Sequence, residues 1–191
     1  AVRSDALATL FYVSNWWFIA SGNSYFEQFQ DPSPLTHTWS LAIEEQWYLL
    51  LPLVLVLLLP RWRRSRLAWA FVGLAVLSAL EMAWLASPQT DASRVYYGTD
   101  TRLQALLVGA TLAAVLTPGV LQKVRVAAAW AGPAALVGLI GFMLLISDQS
   151  AWMYDGGFLA FAGSSALLLA SVQAHPDGFV ARIFSTRPVV W

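Results

Sequence analysis

The chain has 191 residues, of which 58% are hydrophobic and only 12% charged, outside the range of ordinary soluble domains. Eleven basic and eleven acidic residues cancel, so no basic excess is available for nucleic acid, and the lack of Cys excludes disulfides, thiolate chemistry and Cys-bound zinc. Ten Trp suit an all-α, polytopic membrane protein whose surface faces lipid and whose rings sit at the two headgroup belts of the bilayer.

A bilayer core needs about 20 largely apolar residues per helix, and runs of that kind separated by charge give about six spans. The first, 6–20, includes Asn15, Trp16 and Trp17, which read as belt and packing residues. A long connection, 21–40, comes next, with turn chemistry at Asp31, Pro32, Ser33 and Pro34. The second span, 41–59, opens on the adjacent carboxylates Glu44 and Glu45 and contains Pro52 as a tolerated kink. Arg61, Arg63, Arg64 and Arg66 separate it from the third span, 67–86, which carries Glu81 towards its far end as an interfacial residue or a member of a polar cluster. The connection 87–100 leads to the fourth span, 101–117. Lys123 and Arg125 precede the fifth, 126–147, which contains Pro133, and the sixth is 156–174.

Basic residues in short loops resist translocation. With Arg61 to Arg66 on the cytoplasmic side, Arg3, Lys123, Arg125, Arg182 and Arg187 fall there too, nine of the eleven basic residues. The opposite side carries Glu27, Asp31, Asp91, Asp148 and Asp155, with Arg94 and Arg102 as its basic residues. The start at Ala1 without Met or signal peptide, and the apolar close at Trp191, read as an excerpt of a longer chain.

The strongest local signal is HTWSLAIEEQWY, residues 37–48. A charge in hydrocarbon costs roughly 2.5–3.5 kcal/mol on insertion scales, so Glu44 and Glu45 should face the bundle interior or a polar cavity. On a helix His37, Ser40, Glu44 and Tyr48 line one face, with Glu45 about 100° away. That face could hold a base, a hydroxyl and an acid. The plainer reading makes Ser40 a helix cap, the carboxylates partners of the helix dipole, and His37 an interfacial hydrogen-bonding residue. In the second signal, YYGTDTRLQALLVGATLA at 96–113, Asp100 and Arg102 stand at the mouth of the fourth span. Arg suits bidentate recognition of a carboxylate or phosphate, so Arg102 could pair with Glu44 or Glu45, hold an anionic substrate group, or only anchor its helix in an ion pair. No metal-spaced His or Asp cluster, phosphate loop or repeat occurs.

At HTWSLAIEEQWYLLLP and YYGTDTRLQALLVGATLA the sequence resembles the membrane acyltransferase-3 family of integral-membrane O-acyltransferases. LFYVSNWWF and IFSTRPVVW extend the resemblance over nearly the whole chain, as a partial domain covering 1–191. Trp39, Ser40, Glu44, Glu45, Gln46 and Tyr48 match one family motif, and Asp100, Thr101 and Arg102 match the other. The resemblance implies a bacterial inner-membrane enzyme that moves an acyl group, usually acetyl, from cytoplasmic acyl-CoA to a hydroxyl of a cell-surface carbohydrate, with no bound cofactor or metal. It assigns Glu44, Glu45 and Arg102 supporting catalytic roles: a carboxylate orients a His and raises its basicity, and Arg102 stabilises negative charge or holds Glu45. It assigns Trp39, Ser40, Tyr48 and Asp100 to substrate binding, and His37, just ahead of the motif, is expected to bind substrate with them. The family's catalytic Arg and His, about three helical turns apart in its first span, have no counterpart here, and His37 does not fill that place. The isolated chain is therefore expected to be inactive. The competing readings are a small-solute transporter or channel with an outer-facing polar cluster, which should show a repeat and midplane polar residues, and a purely structural subunit.

Overall fold

The computed structural model describes residues 2–26, 33–86, 92–147 and 150–186. Glu27, Asp31, Pro32, Asp91, Asp148 and Arg187, on which parts of the charge and turn pattern rest, lie outside the described residues.

Among the described residues the fold is helical: α1 (Val2–Leu10), α2 (Ser14–Ala20), α3 (Thr38–Leu58), α4 (Arg64–Leu85), α5 (Ser93–Tyr97), α6 (Thr99–Val115), α7 (Pro118–Leu145), a π turn (Met153–Gly157), α8 (Phe158–Ala174) and α9 (Phe179–Phe184). Four segments are long and apolar enough to cross a membrane: α3, α4, α7, and α8 together with its π turn. Large apolar side chains cover the outside, with Trp69 and Trp84 exposed towards opposite ends of α4. So much apolar surface would be insoluble in water, and the chain is a membrane protein.

Two of the six expected spans differ. The 101–117 span is a helix of 17 residues, α6, shorter than the other four. The 6–20 run is not one helix but two, broken at Phe11–Val13, where Tyr12 takes the left-handed φ of 57°. Hydropathy cannot reveal that break, because its stabilising partner lies on α3: the Gln46 amide donates to the Tyr12 carbonyl at 2.7 Å. The fifth span starts eight residues earlier than its apolar run, at Pro118, since Thr117 caps α7 by accepting from the Val120 amide and Pro118 is pre-set for the first helical position. Lys123 and Arg125 are consequently on the first turns of α7 rather than in a loop.

α4 packs along α6, and α8 packs against both α6 and α7, so α8 stands between two helices that only Leu116 and Thr117 connect. The α7–α8 contact is close at Gly132, where an added Cβ would overlap the Ser171 side chain, whose hydroxyl donates to the Ala128 carbonyl at 2.7 Å. Trp47, Leu67, Phe71, Ala75 and Leu107 form the core where α3, α4 and α6 meet. Phe18, Trp39, Ile43 and Tyr97 form a second core among α2, α3 and α5. These two cores hold the first halves of α3 and α6 near each other, and the polar residues of both signal stretches lie there.

Candidate functional site

α3 begins at Thr38, so Ser40 lies within its first turn and is no cap; its hydroxyl donates back to the His37 carbonyl at 3.3 Å. His37 is exposed just before the helix. One turn further, Glu44 shares a cavity of about 540 Å³ with Ser40, Trp39 and Arg102. Glu45 is half-buried outside the cavity lining, and Tyr48 is exposed and also outside it. The structure thus brings Ser40, Glu44 and Arg102 together and leaves His37, Glu45 and Tyr48 apart from them.

Arg102 forms no ion pair with Glu44 or Glu45; the ion pair among the described residues is Arg94–Asp100, at 2.6 Å. Asp100 receives both guanidinium nitrogens of Arg94 and accepts the Thr101 amide at 2.9 Å. This hydrogen bonding holds Arg94 above its usual pKa against the opposing effect of burial, and the charge of Glu81 adds to it. Asp100 is therefore committed to Arg94. Gly98 makes the pair possible, since a Cβ there would overlap the Arg94 guanidinium and the Asp100 carboxylate.

What surrounds Arg102 instead is aromatic. Its guanidinium carbon lies 4.3 Å from the Phe158 ring centre, 4.8 Å from Tyr96 and 5.6 Å from Trp39. Each ring face offers a cation roughly 0.5–2 kcal/mol without using any N–H donor. A cation compensated by rings rather than by a carboxylate keeps its hydrogen-bonding capacity for an oxygen that enters the cavity.

Sequence reasoning missed a buried amide network beside this site. Asn15 is fully buried and donates to the Tyr97 carbonyl at 3.1 Å and to Thr99 Oγ1 at 2.9 Å. Gln46 Nε2 donates to Asn15 Oδ1 at 3.0 Å, and Thr99 Oγ1 donates to Gln46 Oε1 at 2.7 Å. The closed ring ties α2, α3 and α6 together behind Trp39. An Asn in an otherwise apolar run was the available signal, since a buried amide requires partners. Nearby, Trp17 donates to the buried Asp5 carboxylate at 2.9 Å, so that Trp has a structural hydrogen bond as well as a surface.

The chain is similar along its whole length to named bacterial enzymes. It is 43% identical to the peptidoglycan O-acetyltransferase OatA of Listeria monocytogenes over 196 aligned residues, covering 100% of this chain and 31% of that protein. It is 38% identical to the O-acetyltransferase OatA of Staphylococcus aureus over 195 residues, covering 99% of this chain and 32% of that protein. The chain thus spans about a third of the length of these curated relatives. No family model matches it. No solved structure matches it.

Proposed function

We propose that the chain is the polar-cluster portion of a bacterial inner-membrane O-acyltransferase. The enzyme transfers an acyl group, acetyl in the first instance, from acyl-CoA to a hydroxyl of a cell-surface carbohydrate, and peptidoglycan is the first acceptor to test. The observation that carries this reading is the shared cavity of Arg102, Glu44 and Ser40, in a chain similar from end to end to proteins named O-acetyltransferases. Acylation of a hydroxyl needs a base for its proton and donors for the oxyanion that develops on the acyl carbonyl. Arg102 supplies the donors, its charge held by three rings. Glu44 orients the base, and Trp39 and Ser40 line the acceptor's approach. In the bilayer the chain makes six crossings, with α1 and α2 forming the broken first one and the Arg61 to Arg66 loop cytoplasmic.

The test uses membranes of cells producing the longer protein, supplied with acetyl-labelled CoA and peptidoglycan. Transfer should fall about 100-fold in Arg102→Gln, the scale of one lost oxyanion donor, and about 100-fold in Glu44→Gln, the scale of an impaired general base, and much less in Glu45→Gln. Full transfer in the first two variants, or no transfer from CoA by the unaltered protein, overturns the reading.

A further inference from the structure

The cavity extends well beyond Arg102, Glu44 and Ser40. Its wall runs along α6 from Arg102 past Ala105 and Gly109 to Leu112, and along α8 from Phe158 past Ala162 to Leu169. At 1.5 Å per residue each wall is roughly 15 Å long, far more than a two-carbon acetyl group requires. The cavity's 540 Å³ is the size of a small-molecule site, room enough for an extended hydrocarbon chain. The space comes from small residues: a Cβ added to Gly109 meets nothing within 4 Å.

Polar groups mark one end of this slot. Arg102 has no carboxylate within ion-pair distance among the described residues. Gln104, 1% exposed, lines the same cavity. Its Nε2 is committed to the Thr101 carbonyl at 2.8 Å and Met82 Sδ at 3.4 Å, which fixes the amide's orientation, while its Oε1 has no donor. That oxygen is closed off in the contact of α4 with α6, so the polar group the slot itself offers a ligand is Arg102. The slot therefore presents a cation and an apolar channel the length of a hydrocarbon chain segment.

We propose that this slot binds an anionic membrane lipid, with its phosphate on Arg102 and one hydrocarbon chain laid along the seam of α6 and α8. Lipid and acyl substrate then exclude each other at Arg102. Binding is read without any transfer, so this inference and the proposed enzymatic activity fail separately.

The protein, purified in an uncharged detergent, is mixed with phosphatidylglycerol or with phosphatidylcholine of matched chains, and the retained lipid is counted by native mass spectrometry. One phosphatidylglycerol should remain bound at concentrations where phosphatidylcholine is lost, and inorganic phosphate should not displace it. Arg102→Gln should weaken retention about tenfold, as expected for one charged hydrogen-bonding partner. Gly109→Leu should abolish it by filling the channel. Gly163→Leu, on α8, also has open space at its Cβ but is absent from the cavity lining, and should retain lipid like the unaltered protein. Equal retention of both lipids overturns the proposal by itself, whatever the variants do. Displacement by inorganic phosphate, or normal retention in a helical Gly109→Leu, also overturns it.

Discussion

At the scale of single residues, Arg102 owes its character to planarity as much as to charge. Lys carries the charge on a compact, strongly hydrated head with no flat face to lie on rings, so Arg102→Lys should restore little of the transfer lost in Arg102→Gln. A labelled-acetate assay that found full activity in the Lys variant would reduce Arg102 to a point charge. Gly156, at φ 120°, and Gly98 fail in different ways when given a side chain. Gly156→Ala meets no neighbour but forces an L-residue into the left-handed region, which should lower the unfolding midpoint through about 1 kcal/mol or more of strain. Gly98→Ala should instead separate Arg94 from Asp100. Arg102 and Glu44 were legible in the sequence because a charge in an apolar run is conspicuous. The rings around Arg102 were not, because Trp39, Tyr96 and Phe158 come from three elements brought together by packing alone. Gln104 was passed over because a single amide barely lowers the hydropathy of its run.

Among elements, the long apolar helices were readable and the interruptions were not. α3, α4 and α7 appear where runs of Leu, Val and Ala demand helix; the ends of α3 and α4 shift by one to three residues, and the start of α7 by eight, to the cap at Thr117. The break between α1 and α2 depends on a contact between Tyr12 and Gln46, 34 positions apart. The same Gln46 side chain also bonds Asn15, and that coupling is testable by a double-mutant cycle. Asn15→Leu and Gln46→Leu should each destabilise the protein by about 1–3 kcal/mol, as each strands buried amide partners, and the double variant should cost clearly less than their sum. Additive losses in a detergent melt would show that the two amides do not act as one network. On the other side of the bundle, Gly132→Val should force α7 off α8 at Ser171 and lower stability by about 1–3 kcal/mol with Arg102 undisturbed.

For the whole molecule, composition alone identified a membrane protein, since 58% hydrophobic residues cannot be hidden inside 191. The sidedness inferred from its basic residues has a direct check. Cysteines introduced at Pro34 and Ser65, both exposed, should react with an impermeant reagent from opposite faces of sealed cells, and reaction of both from outside would end the topology. The placement of α8 between α6 and α7 has a consequence for biogenesis. A ribosome delivers α6 and α7 in succession across a two-residue link, yet their shared neighbour has not then been made. Until the π turn at Met153 and the whole of α8 emerge, the polar mouth around Arg102 and the small-residue face of α6 stay turned to lipid or to an insertion chaperone. A chain truncated and released before that point should linger beside the insertion machinery and be cleared by membrane proteases, while one released just beyond Ala174 escapes.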